Sequence, residues 1–239
     1  MKSTSRMKPE TRRTIIQWIV QAILGWIGYG GVIFLASGRL DWVWGWAIWG
    51  VIGAFLAAHP LILVPINPEL LAEREKGLRD QAVTAWDKWI TAFAGGVFPI
   101  ASWIVAGLDI RFQWTGHLPL GYHLVGLLVM TLGYALFLWA MACNAFFAEG
   151  VRVQSERGHS VTSNGPYRFV RHPGYVGAIL SQVSTPFLLG SPWAFIPSIA
   201  SGGLYVVRTY FEDQALMEDL PGYAEYTQHT RYRLLPGVW

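Results

Sequence analysis

Residues 15–36 read IIQWIVQAILGWIGYGGVIFLA, twenty-two positions without one charged side chain. A bilayer core takes about 20 helical residues, so this run is long enough to cross one. A secretory leader would carry a shorter apolar region followed by a small-residue cleavage site. The run is therefore read as a retained first helix, preceded by the basic stretch 1–13 with Lys2, Arg6, Lys8, Arg12 and Arg13. Composition points the same way. Charged residues make up 14% of the chain, against about 25% in soluble domains. Thirteen tryptophans suit aromatic belts at a membrane interface.

Five more apolar segments follow. They are 42–64, broken late by His59-Pro60; 89–108; 121–147; the short 175–189 with Pro186; and 193–210 with Pro197 near its start. Gly190-Ser191-Pro192 is a tight-turn signal between the last two, which predicts a helical hairpin. The expectation is an all-α integral membrane protein of about six transmembrane segments, forming one domain over 1–239. Orientation follows from Lys and Arg alone. With the N-terminus cytoplasmic, sixteen of the eighteen fall on the cytoplasmic side, in the N-terminus, 65–88, 148–174 and the tail. Only Arg39 and Arg111 lie opposite. The segment 65–88 sets Leu70, Leu71 and Leu78 among Glu69, Glu73, Arg74, Glu75, Lys76 and Arg79. It reads equally as an interfacial amphipathic helix or a solvated connector. The tail is expected to be helical over 212–220, to break at Pro221-Gly222, and to restart over 223–229. Tyr223, Tyr226, Tyr232 and Trp239 make it too aromatic for disorder, so it is expected to pack.

Between these runs lies a stretch unlike them. Residues 154–175 read QSERGHSVTSNGPYRFVRHPGY, with two histidines, three arginines and two turn signals. Pro173 suits the first turn of a helix. That places the start of the fifth helix near Gly174, with its amides turned to the loop, where they attract carboxylates and phosphates. His172 stands ready to donate to the same anion or simply to cap the helix. Arg208 and Glu212 are four apart and share a helix face. The bland reading is a surface ion pair, but an arginine so close to an apolar span needs water, a partner or a ligand. Loop and helix end fall on one side of the membrane, so they can converge on a zwitterionic ligand, or on a cationic cofactor beside an acidic lipid.

Other candidates carry less. His59 reads as a core or kink residue, and His117 and His123 lie on the opposite face without metal-ligand partners. No spacing fits zinc, and no metal is expected. Cys143, the single cysteine, reads as a small core residue. Gly28-Tyr29-Gly30-Gly31 reads as close helix packing. No Gly-x-Gly-x-x-Gly follows a strand. A net charge of +3 is too small to suggest a nucleic-acid partner, the basic residues are not clustered into a binding face, and none is expected.

Gln154, His159-Ser160-Val161-Thr162, Gly165-Pro166-Tyr167, Arg171-His172-Pro173-Gly174-Tyr175 and Arg208-Thr209-Tyr210-Phe211-Glu212 resemble the isoprenylcysteine carboxyl methyltransferase family. So do the closing Gly222-Tyr223-x-x-Tyr226 and Arg233-Leu-Leu-Pro-Gly-Val-Trp239. The resemblance covers roughly 144–239 and extends to the related phospholipid methyltransferases. It implies S-adenosylmethionine as cofactor, a lipid-like or prenylated acceptor, and spans over 1–147 supporting a cofactor-binding and catalytic part over 148–239. Carried over residue by residue, it implies cofactor contacts at Gln154, His159, Ser160, Val161, Thr162, Tyr167, His172, Pro173, Gly174, Tyr175 and Glu212. It implies a substrate contact at Arg208, with Arg208 and Glu212 as the catalytic pair. The family often has a Glu-Glu pair where this chain has Glu212-Asp213, and its eukaryotic members have a longer loop between the positions of Gln154 and His159. An amine acceptor would need a base, Glu212 or a histidine.

Two other readings stand beside it. An NADPH-dependent membrane reductase of a sterol-like or enone lipid would need cations for the 2′-phosphate, for which Arg152 and Arg157 are available. A non-catalytic scaffold or transporter is disfavoured, because the spans hold almost no charge for a midplane pathway.

Overall fold

In the computed structural model the described residues are 9–77 and 83–239, and among them every regular element is helical. Lys2, Arg6 and Lys8 of the basic start, and Leu78 and Arg79 of the connector, lie outside the described residues. Helix α1 spans Pro9–Ser37 and α2 Val43–Ile66. The third apolar segment is α4, Ala85–Ala92, a π-turn at Phe93–Val97, and α5, Phe98–Phe112. The fourth is α6, Leu120–Cys143. These four units, 9–37, 43–66, 85–112 and 120–143, are long and apolar enough to cross a membrane. The last two segments form the expected hairpin, α7 over Pro173–Leu189 and α8 over Phe195–Asp219. Gly190 takes the left-handed conformation that closes α7.

Three boundaries differ from expectation. α2 is not broken at His59-Pro60 but runs on to Ile66 with Pro60 and Pro65 inside it. A proline removes one N–H, and a membrane-type helix tolerates this where neighbouring groups serve the freed carbonyls. His59 Nδ1 sits 2.8 Å from the Phe55 carbonyl one turn back. The fourth segment stops at Cys143 rather than 147, where Asn144 turns extended and its side chain accepts the Phe146 amide at 2.9 Å. The connector holds a short helix, α3, Pro68–Lys76, capped by Asn67. It is amphipathic rather than a solvated connector, because Leu70 and Leu71 are fully buried against Ile15, Leu63 and Met141 while Glu69 is exposed.

Helices α1 and α2 are locked by a tryptophan pair. Trp26 and Trp49 stack 4.1 Å apart, and each indole donates to the other's carbonyl, at 2.9 and 2.8 Å. The close-packing reading of the 28–31 glycines holds at Gly30, where a Cβ would fall 2.7 Å from Trp49. It fails at Gly28 and Gly31, which have open space around them. His123 is buried, stacked on Trp44 and bonded to the Leu188 carbonyl at 2.9 Å.

The closest backbone approach is between α6 and α7. A Cβ on Gly177 would sit 2.5 Å from the Gly133 carbonyl and 2.8 Å from the Phe137 amide nitrogen. Both obstacles are backbone, so the helices must separate to admit it. Gly177→Ala is expected to lower stability by about 1–3 kcal/mol, the usual cost of overpacking. Thermal unfolding in detergent reads this, and an unchanged midpoint would mean the two helices are not held this close.

Antiparallel succession gathers the polar connections at one end of the bundle. Arg152 meets Glu73 at 3.0 Å, and Arg208 meets Asp87 at 2.7 Å. Arg171 meets Asp213 at 2.8 Å. Arg39 and Arg111 lie together at the other end, around Gly38. The tail breaks where expected and restarts as α9, Tyr223–His229. Tyr223 and Tyr226 are buried, while Tyr232 stays exposed.

Candidate active site

A cavity of about 770 Å3 opens at the polar end of the bundle and continues between the helices. Its polar part is lined by the loop residues His159, Ser160, Val161, Thr162 and Tyr167, by His172, Gly174 and Tyr175 of early α7, and by Arg208 and Glu212 of α8. Its apolar arm is lined by Tyr29, Ile52, Phe55, Leu56, Trp103 and Tyr134. Gly95 and Gly96 of the π-turn lie on the wall as well. The loop and the distant helix therefore do meet, as the sequence reading required. Two of the named positions lie off the wall. Gln154 is fully buried beneath the loop, donating to the Phe146 carbonyl at 2.9 Å and accepting from Arg157. Pro173 is buried in the first turn of α7.

The loop presents its groups in a defined state. Gln154 N donates to His159 Nδ1 at 3.2 Å, so the ring's proton belongs on Nε2. The imidazole stacks on Phe146 at 4.4 Å. Burial, with Arg157 and Arg152 nearby, lowers its pKa, which keeps it neutral at pH 7. Residues 160–162 follow it without regular structure, and among the described residues their backbone groups enter no hydrogen bond.

His172 stands immediately before α7 and its carbonyl receives the Tyr175 and Val176 amides. Its Nε2 lies 3.3 Å from Asp213 Oδ1 and 3.4 Å from the Tyr223 hydroxyl. Its ring is nearly parallel to Tyr175, centroids 5.8 Å apart. Tyr175 donates to Glu212, and the Arg208 guanidinium lies 5.3 Å above the Tyr175 ring. Arg208 and Glu212 share a face but do not pair with each other among the described residues.

Arg208 has a different partner. Its Nε donates to Asp87 Oδ1 at 2.7 Å and its Nη2 to Oδ2 at 3.2 Å. Nη2 also donates to the Glu149 carbonyl at 2.5 Å. Asp87 is completely buried and accepts the Val151 amide at 2.7 Å. The surface-pair reading is thus corrected to a buried ion pair 121 positions apart in sequence. Sequence reasoning passed over Asp87, although an arginine at a span's end signals that a carboxylate must be found for it.

Asp213 has a role that its place beside Glu212 does not reveal. It faces away from Glu212 and gathers four donors: Arg171 at 2.8 and 2.9 Å, Arg233 at 2.7 Å, Tyr223 at 2.9 Å and the His172 ring. Burial alone would raise its carboxyl, but the hydrogen bonds of His172, Arg233 and Arg171 outweigh it and hold the group well below the usual carboxylate range. Arg171 further donates to the Thr230 and Arg231 carbonyls, which ties the tail over the site. Tyr226 reinforces this through a 2.6 Å bond to the Tyr167 carbonyl, and burial pushes its hydroxyl up to about 12. Among the described residues no three His, Cys, Asp or Glu side chains gather as a metal site.

Residues 124–218 match the model of the isoprenylcysteine carboxyl methyltransferase (ICMT) family. Two curated proteins, from Oryza sativa subsp. indica and Oryza sativa subsp. japonica, are each named "Probable protein-S-isoprenylcysteine O-methyltransferase". Each is 32% identical over 69 residues, 28% of this chain and 36% of the relative. The match therefore spans little more than a third of the curated relatives' length. A solved structure of the eukaryotic intramembrane Ras methyltransferase ICMT superposes with a TM-score of 0.50 at 15% identity, over 97% of this chain and 99% of the other. That likeness is one of fold. The family match contains Gln154 and the groups at 159–162, 165–167, 171–175 and 208–212 that carry the resemblance, and stops short of the closing residues 222–226 and 233–239.

Proposed function

We propose that the protein is an S-adenosylmethionine-dependent O-methyltransferase. Its acceptor is a carboxylate on a lipid-like, prenylcysteine-type molecule held at the cytoplasmic membrane surface. The observation that carries this is the single cavity joining a polar, loop-lined end to an apolar arm within the bundle. The cofactor needs an acceptor for its amino and ribose groups, donors for its carboxylate and a face for its base. The wall offers Glu212, His159 with a proton on Nε2, His172, and the unpaired backbone of residues 160–162. These residues fit the group. Bound there, S-adenosylmethionine supplies an already activated methyl carbon, so transfer to a carboxylate is a matter of positioning. Arg208, fixed by Asp87, faces the same space as a cation for the acceptor. The apolar arm takes the acceptor's hydrocarbon part.

The full topology belongs to this reading. Six spans are reached by counting α7 and α8 with the four longer units. The gathering of sixteen basic residues on one side supports a cytoplasmic N-terminus, loop and tail. The reductase reading loses its cations. Arg152 is held between Glu73 at 3.0 Å and Glu156 at 2.7 Å. Arg157 is engaged with Gln154 and lies over the Phe146 ring.

Titration of the detergent-purified protein with S-adenosylhomocysteine and with NADPH separates the two. Binding of the first alone is expected; binding of the second alone would overturn the proposal. His172→Ala and Glu212→Ala should each weaken S-adenosylhomocysteine by roughly tenfold or more, the loss of a charge-assisted hydrogen bond. Unchanged affinity in both variants would place the cofactor elsewhere.

A further inference from the structure

Arg74 belongs to none of the motifs above and lies outside the residues that match the family. The fold nevertheless puts it on the cavity wall. Helix α3 is fixed at its start, where Asn67 accepts the Leu70 amide at 3.2 Å. It is fixed along its length by the fully buried Leu70 and Leu71. Arg74 follows at helical spacing from both leucines and so shares their inward face. Its Nη1 donates to the Phe147 carbonyl at 3.3 Å, and its guanidinium lies 5.8 Å over the Phe147 ring. Phe147 in turn packs on Gly174, where a Cβ would fall 2.5 Å from the ring. Arg74 is thus one aromatic ring away from the first turn of α7.

Its Nε is buried and has no hydrogen-bond partner among the described residues. A buried donor left unmade carries its whole desolvation cost, and a guanidinium cannot shed its charge to escape it. Burial and the neighbouring Arg208 lower the Arg74 pKa, while Glu149 raises it. Two cations therefore share one space. Their donors are not equally committed. Arg208 spends Nε and Nη2 on Asp87 and on the Glu149 carbonyl. Arg74 spends one long bond to a carbonyl.

Building on the methyltransferase reading, we propose that Arg74 recognises the acceptor's carboxylate, with Arg208 as the second cation facing it. The acceptor is then an anion whose charged end lies between α3 and α8 and whose hydrocarbon runs down the apolar arm. The reacting carboxylate oxygen is held by N–H donors and needs no base. Transfer makes an O–CH3 bond, breaks the sulfonium S–CH3 bond and leaves a neutral ester and a neutral thioether. The ester no longer attracts two guanidiniums, so product leaves more readily than substrate binds.

The test uses the full chain with Arg74→Gln and Arg74→Lys. The probes are an N-acetylated S-prenylcysteine of three isoprene units and its carboxamide, an uncharged competitor. Arg74→Gln should raise KM for the carboxylate roughly 10- to 100-fold. It should leave S-adenosylhomocysteine affinity and carboxamide inhibition within about twofold of the unchanged protein. Arg74→Lys should recover part of the loss. An unchanged KM overturns the assignment. Equal weakening of carboxylate, carboxamide and S-adenosylhomocysteine would make Arg74 a structural residue and overturn it too. Should Arg74→Gln fail to fold, equal binding of carboxylate and carboxamide by the unchanged protein would overturn it. Failure of the unchanged protein to bind S-adenosylhomocysteine or to methylate would instead sink the underlying methyltransferase reading, and this inference with it.

Discussion

Replacing Asp213 by Ala is expected to cost about 3–5 kcal/mol, the penalty for leaving a buried cation without its partner. Arg171 is buried and makes two of its bonds to this one carboxylate, at 2.8 and 2.9 Å. Arg233, Tyr223 and His172 lose a partner at the same moment. The damage should therefore appear twice. The unfolding midpoint in detergent should fall steeply, and S-adenosylhomocysteine binding should weaken because His172 is no longer held. Asp213→Asn keeps the shape but not the charge and should fall between. The pH dependence has a definite sign. A carboxylate depressed on folding contributes stability that is whole above its unfolded value and is lost as pH falls through the folded one. The ordinary value is 3.8 and the folded one lies well below it. The gap between the native protein and Asp213→Ala should thus be constant near neutrality and close only below about pH 4. A midpoint unmoved by Asp213→Ala would mean that the tail is held by its tyrosines alone.

Arg208→Ala is expected to reduce turnover about 100- to 1000-fold, the usual effect of removing a preorganised charge at a reacting centre. Affinity for S-adenosylhomocysteine should stay nearly intact, since Arg208 spends its bonds on Asp87 and the Glu149 carbonyl rather than on residues 159–162. Parallel loss of cofactor affinity would move Arg208 to the cofactor's side of the cavity. The partner gives an independent check. Asp87→Ala leaves the Arg208 guanidinium buried and unpaired and frees the Val151 amide. Its stability loss should exceed that of the Asp87→Ala, Arg208→Ala double variant, which removes both charges together. Additive losses would mean the pair is not coupled.

The site was legible where it rested on local chemistry. Pro173 beginning a helix, Gly190 ending one, and Pro221-Gly222 breaking the tail follow from backbone constraints that neighbouring residues set. The convergence of residues 159–175 with Arg208 and Glu212 followed from counting charges across apolar runs. What was missed lies where a partner is remote. Asp87 is 121 positions from Arg208, and Arg74 is 73 from Phe147. Asp213 looked like a shorter copy of its neighbour Glu212. One residue along a helix is a turn of about 100°, enough to aim Glu212 into the cavity and Asp213 into the clamp of Arg171 and Arg233.

By itself the sequence determined that this chain is a bundle of apolar helices, how they alternate, and which connections share an end. An uncharged run of that length can satisfy its backbone in a bilayer only as a helix, and basic residues divide by side. Only the tertiary structure decided which charges meet. A buried guanidinium must find its counter-charge wherever the packing brings one, and packing is set by close fits such as Gly133 on Gly177 and Trp26 on Trp49. Those fits act between elements far apart in the chain, so no local pattern records that Asp87 holds Arg208 or that α3 delivers Arg74 to the cavity.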